Sequence, residues 1–154
     1  MIVDALLALS GSITGNTLTG QNVFATNANV TSTNTVDLLA NRDIGEGQDL
    51  YGRVEVTTAA TGGTSIEFQY IVADDAALSV NVTVIGTTGA IAVAALTAGS
   101  RFACKLNPRL GSLGQRYLGM RAVNVGANTA GAVYADVGAE IADLKIYASG
   151  FAVL

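Results

Sequence analysis

Histidine and tryptophan are absent from this chain, and cysteine and proline occur once each. Each absence removes a class of function. Without His there is no usual general base, no imidazole metal ligand, and no Ser–His or Cys–His nucleophile pair. A lone Cys104 excludes an intramolecular disulfide and suits a reducing or indifferent compartment. A single proline rules out a Pro-rich linker or tail. Charged residues make up only 13% of the 154 residues, about half the usual fraction. A surface so poor in charge favours association with other surfaces.

The net charge of −4 and only 8 Lys+Arg argue against nucleic acid, which needs basic side chains to replace phosphate counterions. Arg101, Lys105, Arg109, Arg116 and Arg121 are one mild basic run, read as a solvated rim. The N-terminus, Met1-Ile2-Val3-Asp4-Ala5-Leu6-Leu7, carries Asp where a signal peptide carries Lys or Arg, and is read as mature structure. Residues 76–100 have no charge, which nominally reaches membrane-spanning length. Val80, Val82 and Val84 alternate there with Ser79, Asn81 and Thr83. That is a period of two, which excludes an apolar helix, so no membrane partner is expected.

What is present is a β pattern, with 18 Gly among abundant Thr, Asn, Ala and Val. Leu50, Val54 and Val56 oppose Tyr51, Arg53 and Glu55; Ile66, Phe68, Tyr70 and Val72 oppose Glu67, Gln69 and Ile71. A strand from Val80 to Ile85 is expected to end at Gly86, with a short one at Ile91–Val93. Phe102, Cys104 and Leu106 lead to an Asn107-Pro108 turn. Leu118, Met120 and Ala122, then Val133, Ala135 and Val137, then Leu144, Ile146 and Ala148 complete the series. About eight antiparallel strands in one domain over 1–154 predict a β-sandwich, with no helix of more than two turns. Residues 11–35, rich in Thr, Asn and Gly, read as a long loop or as an extended arm that orders on a partner.

Candidate chemistry is thin. Cys104 falls on an inward parity between Phe102 and Leu106 and reads as an inert thiol. Asp43, Glu46 and Asp49 supply oxygens of the kind Ca²⁺ takes. Their spacing is not that of an EF-hand, and Arg42 and Arg53 compete for them. The preferred reading is a local Arg42–Asp43 pair with Gly45 and Gly47 supplying positive φ. Asp74-Asp75 reads as a turn whose carboxylates bind backbone N–H groups. Gly45-Glu46-Gly47 opens no helix, so it is no phosphate loop. Tyr51, Tyr117, Tyr134 and Tyr147 fall on outward parity, suited to a protein interface or to sugar stacking. No catalytic, cofactor or metal residue is assigned, and the chain is not expected to be an enzyme.

One segment carries a resemblance. It runs Val36-Asp37-Leu38-Leu39-Ala40-Asn41-Arg42-Asp43-Ile44-Gly45-Glu46-Gly47-Gln48-Asp49-Leu50-Tyr51. A short apolar strand ends in Asp-Leu, passes through Arg-Asp-Ile-Gly-x-Gly, and reaches Leu-Tyr at the start of a long strand. With Ala94-Ala95-Leu96-Thr97-Ala98-Gly99-Ser100-Arg101-Phe102 and Arg116-Tyr117-Leu118-Gly119-Met120-Arg121, it resembles the small jelly-roll cement (decoration) proteins of tailed bacteriophage capsids. The resemblance implies a jelly roll that binds the outside of the major capsid protein lattice as a homo-oligomer, dimer or trimer, and braces it against internal DNA pressure. It implies synthesis in the bacterial host cytoplasm and residence on the virion surface. Contact residues expected on this basis are Ile2, Leu6, Leu7, Phe24, Tyr51, Tyr117, Phe151 and Leu154. The alternative reading is a β-sandwich that binds a glycan or receptor in a phage tail or fibre.

Overall fold

Alternation of apolar and polar residues puts one face of each strand against a core, and two such sheets satisfy each other. The computed structural model describes residues 5–15, 17–39, 49–107 and 114–139. The described chain is all-β and antiparallel. Its strands are β1 (Ala8–Ser10), β2 (Ser12–Thr14), β3 (Thr17–Thr19), β4 (Asn29–Thr31), β5 (Val36–Asp37), β6 (Tyr51–Gly62), β7 (Ser65–Ala73), β8 (Thr83–Ala92), β9 (Arg101–Lys105), β10 (Tyr117–Val125) and β11 (Asn128–Gly138). Helical structure among the described residues is confined to 3₁₀ turns at Ala5–Leu7 and Val93–Ala95. The Arg42–Asp43 turn, Pro108 and the expected strand around Leu144–Ala148 lie outside the described residues.

One sheet has the order β1-β11-β6-β9; a second has β4-β10-β7-β8, with β5 pairing β10 beside β4. Their inner faces share one core. Val54, Val56, Val133, Ala135 and Val137 come from the first sheet, and Ile66, Phe68, Tyr70, Val72, Leu118, Met120 and Ala122 from the second. Burying a side chain the size of Ile66 or Phe68 is worth about 1.5–3 kcal/mol. The inward parities read from the sequence are the ones found for β6, β7, β10 and β11.

Among the described residues there are eleven strands rather than about eight, because short pieces precede β6 that composition does not mark. β8 also runs through Gly86 instead of stopping there. The backbone at Gly86 passes close to Leu106, where an added Cβ would lie 2.7 Å from Leu106 Cδ2, so the glycine serves packing rather than a turn. Further on, a register shift between Glu67 and Gln69 bulges the strand, with Gly89 at φ +69°.

Residues 20–35 are stitched to their own chain. Gln21 exchanges backbone hydrogen bonds with Val133 at 2.8 and 2.9 Å. Buried Asn124 donates from Nδ2 to the carbonyls of Val23 and Ala28. Ser32 N–H donates to Met120 O, and the Met120 N–H donates back to Ser32 Oγ. The β2–β3 hairpin forms a separate two-stranded sheet.

Candidate functional site

Arg53 and Asp136 face each other across β6 and β11 and form a bidentate pair, Nε to Oδ1 and Nη2 to Oδ2, both 2.6 Å. Their strand parity points away from the core, yet the residues are only 4% and 3% exposed. Tyr134, on the same parity, is buried as well and donates to Asp136 Oδ2 at 3.3 Å. The reading of Tyr134 as an outward aromatic is therefore corrected: this part of the outer face is covered, and alternation alone cannot register that. Burial pushes the Asp136 carboxyl above its ordinary value while the Arg53 guanidinium pulls it down. Burial likewise raises the Tyr134 phenol.

From the other sheet, Tyr70 crosses the core and donates to Arg53 O at 2.7 Å and Asp136 O at 3.3 Å. Gly52 makes this crossing possible, since an added Cβ would lie 2.2 Å from the Tyr70 ring. The arrangement joins the two sheets. The carboxylate takes two N–H groups of the guanidinium and the phenol is bonded to backbone carbonyls, so the cluster ties strands of both sheets together.

The remaining chemistry is similarly committed. Cys104 is half-buried against the core, and burial pushes its thiol up to about 11. Arg101 pairs with Glu55, Lys105 with Asp49, and Arg116 with Asp37. Arg121 donates to Gln69. The described members of the basic run are thus each partnered. Asp49 is engaged by Lys105 at 2.7 Å; Asp43 and Glu46 lie outside the described residues. Among the described residues, no group of three His, Cys, Asp or Glu is placed to hold a metal ion. No described helix is long and apolar enough to cross a membrane.

What the surface offers is apolar. Leu6 is 85% exposed beside half-buried Leu7, and Leu39, Val80, Val84 and Val125 also stand out. Phe24, expected at an interface, is instead part of the core, its ring against Gly131. Tyr51 is half-buried at the start of β6 and Tyr117 at the start of β10, so the two lie on different sheets. Ile2, Phe151 and Leu154 lie outside the described residues, as does Tyr147.

The most organised exposed feature is the loop of residues 74–82. Ile71 and Ala73 sit on the outer face of β7, where the sequence pattern places polar side chains, and the loop folds Leu78 back over them. Val82 and Tyr117 pack against the same small cluster. Gly119 leaves the space, since an added Cβ would lie 2.2 Å from Leu78 Cδ1. Leu78 takes φ +56° and Asn81 φ +50°. For Leu this left-handed conformation costs about 1–2 kcal/mol, offset by the surrounding contacts.

Asp75 supplies most of those contacts. Its Oδ1 accepts the N–H groups of Ser79 at 2.9 Å and Val80 at 2.7 Å, and its Oδ2 accepts the Ser79 hydroxyl at 2.8 Å. The Val80 N–H is the largest influence holding the Asp75 carboxyl below its usual range. From below, buried Gln115 donates from Nε2 to Asn81 O and Thr83 Oγ1. Sequence reasoning found the turn role of Asp75 but missed Val80, which only the folded loop exposes.

The described body is all-β, with two antiparallel sheets around one core and apolar residues exposed on its surface. The sequence matches the family model Bbp16 over residues 18–137. The chain belongs to the Bbp16 family, which is phage-related. No curated protein matches it.

Proposed function

We propose that this protein is a capsid cement protein, a non-enzymatic virion component that binds the outside of the major capsid protein lattice and strengthens it against packaged DNA. Membership of the phage-related Bbp16 family across the body of the two sheets is the observation that carries the reading. The order of motifs around Arg42–Tyr51, Ala94–Phe102 and Arg116–Arg121 supports it through the resemblance to jelly-roll cement proteins. We read the fold accordingly as a jelly roll and the working form as a homo-oligomer, dimer or trimer, on the virion surface.

Physical chemistry supports an adhesive role. With few charges and exposed Leu6, Leu39, Val80 and Val84, docking desolvates little that is costly to desolvate. A specific contact needs about 1,000 Å² or more, and several contacts per oligomer multiply into slow release. The test is co-sedimentation with mature capsids stripped of the protein, followed by heating of bound and bare particles. Saturable binding with a raised rupture temperature is the expected result. A protein that stays in the supernatant and leaves rupture unchanged overturns the reading.

A further inference from the structure

We infer that β2 is a self-association strand, pairing antiparallel with β2 of a second copy across a two-fold axis through Ile13. The inference deepens the homo-oligomer reading by naming the strand through which copies meet, and makes no use of the capsid. The β2–β3 hairpin leaves the body at the rim of the first sheet. It emerges between β1, which pairs with β11 at Ala135 and Asp136, and Gln21, which bonds to Val133. Its root is fixed. The Ser10 hydroxyl donates to Gln21 Oε1 at 2.7 Å, and the Gly11 backbone lies so close to Thr19 O that an added Cβ would be 2.2 Å away.

The hairpin itself is short of partners. Thr14 pairs with Thr17 around a tight turn in which Gly15 takes φ +59°. In the alternation of an antiparallel ladder, the main-chain groups of the next pair, Ile13 and Leu18, then point outward. Along these outer edges β2 and β3 have no hydrogen-bond partner among the described residues. A hairpin of two strands is marginally stable in water, and three or more strands are needed for independent stability. β3 runs into Gly20, whose backbone lies against Thr57 and Ala132, which leaves β2 the freer of the two edges.

Other edges of the described body are guarded against strand addition. Along β1, Asn34 donates from its main-chain N–H to Leu9 O at 3.0 Å and from Nδ2 to Ala8 O at 3.2 Å. Along β4, the Gln21 amide stands in for a neighbouring strand, donating to Thr31 O and accepting from Thr33 N. β8 carries two register shifts and accepts at Ile85 O from Asn107 N. β9 is five residues long with Arg101 and Lys105 at its ends, and β5 has two residues. Pairing with one of these strands of another copy would mean displacing its guard, so hairpin meets hairpin.

The sequence of β2 suits self-pairing. A two-fold axis at Ile13 lets the residue exchange both main-chain bonds with its equivalent, and sets Ser12 opposite Thr14 on each side. Ser and Thr are favourable cross-strand partners, and no charged residue lies between Ala5 and Val36, so no like charges oppose each other in the joined strands. Two hairpins become one four-stranded sheet. Ile13 and Leu18, half-buried in the single chain while Ser12, Thr14, Thr17 and Thr19 are exposed, form one apolar stripe across it.

The experiment measures self-association of the full chain by sedimentation equilibrium, with thermal unfolding of each variant alongside. Ile13→Pro deletes the outward N–H of β2 while sparing the bonds inside the hairpin. It is expected to weaken association at least tenfold, and Leu18→Pro, on the other edge, by no more than threefold. Association of Ile13→Pro at wild-type strength overturns the inference, as does a wild type that stays monomeric. Cysteine crosslinking decides the matter if the proline variant does not fold. Equivalent Ile13 positions lie about 5.5 Å apart between Cα atoms in such a pair, within disulfide reach. Equivalent Thr17 positions lie three strand spacings apart, about 14 Å. Mild oxidation should therefore link Ile13→Cys into dimers and leave Thr17→Cys at the wild-type background set by Cys104. Equal crosslinking of the two variants, or linkage of Ile13→Cys to the lattice subunit instead of its own kind, overturns the inference. Pairing through β2 without capsid binding removes the cement reading alone; capsid binding without such pairing removes this inference alone.

Discussion

Arg53 and Asp136 are register partners on β6 and β11, and their side chains close a bidentate ion pair that solvent barely reaches. The backbone hydrogen bonding that aligns the two strands also sets the distance between the charges. A single amide and carbonyl ladder thus determines whether two buried ions meet or are stranded.

Removing one member strands the other. Asp136→Ala leaves the Arg53 guanidinium buried without its carboxylate, and should cost about 3–5 kcal/mol of folding free energy. Urea denaturation measures it. A loss below about 1 kcal/mol would mean that the pair is dispensable.

Tyr70→Phe keeps the ring against Gly52 and deletes only the hydroxyl that reaches Arg53 O and Asp136 O. The expected loss is about 1–2 kcal/mol. In a double-mutant cycle with Asp136→Ala the two losses should fall short of additive, because both act on one network.

Stability should fall in acid. The Arg116 guanidinium holds Asp37 below its usual value, Thr87 and Gln69 do the same for Glu67, and the Val80 and Ser79 donors for Asp75. A carboxyl whose pKa is lower folded than unfolded contributes stability above its ordinary value, 3.8 for Asp and 4.5 for Glu. That contribution is lost as pH drops through the folded value. Asp136 works the other way, its raised pKa favouring the fold at low pH and losing that contribution as pH climbs through it. Asp37, Glu67 and Asp75 each contribute to loss of stability in acid, and Asp136 opposes them. Asp75→Asn should flatten the slope of stability between about pH 5 and pH 2. An unchanged slope would rule out the loop carboxylate as a contributor.

The Cys104 thiol, at about 11, is almost entirely protonated at neutral pH. A thiol reagent at pH 8 should modify native protein far more slowly than urea-unfolded protein. Equal rates would place the thiol in an open, solvated setting.

Much of this architecture is written in the order of residues. The period-two alternation of Ile66, Phe68, Tyr70 and Val72, and of Val133, Ala135 and Val137, names the core faces, because successive strand side chains point to opposite sides. The absence of His and the scarcity of charge are equally independent of fold. Tertiary structure decided what alternation leaves open, namely what lies over the outer faces. Tyr134, Arg53 and Asp136 share the parity of exposed residues yet are buried, and Ile71 is roofed by Leu78 from a loop. Phe24 went to the core because residues 20–35 bond to β10 and β11 through Gln21, Ser32 and Asn124, partners about 90–110 positions away. Local pattern records which side of its own strand a residue faces; only the distant segments that pack there determine whether that side meets water.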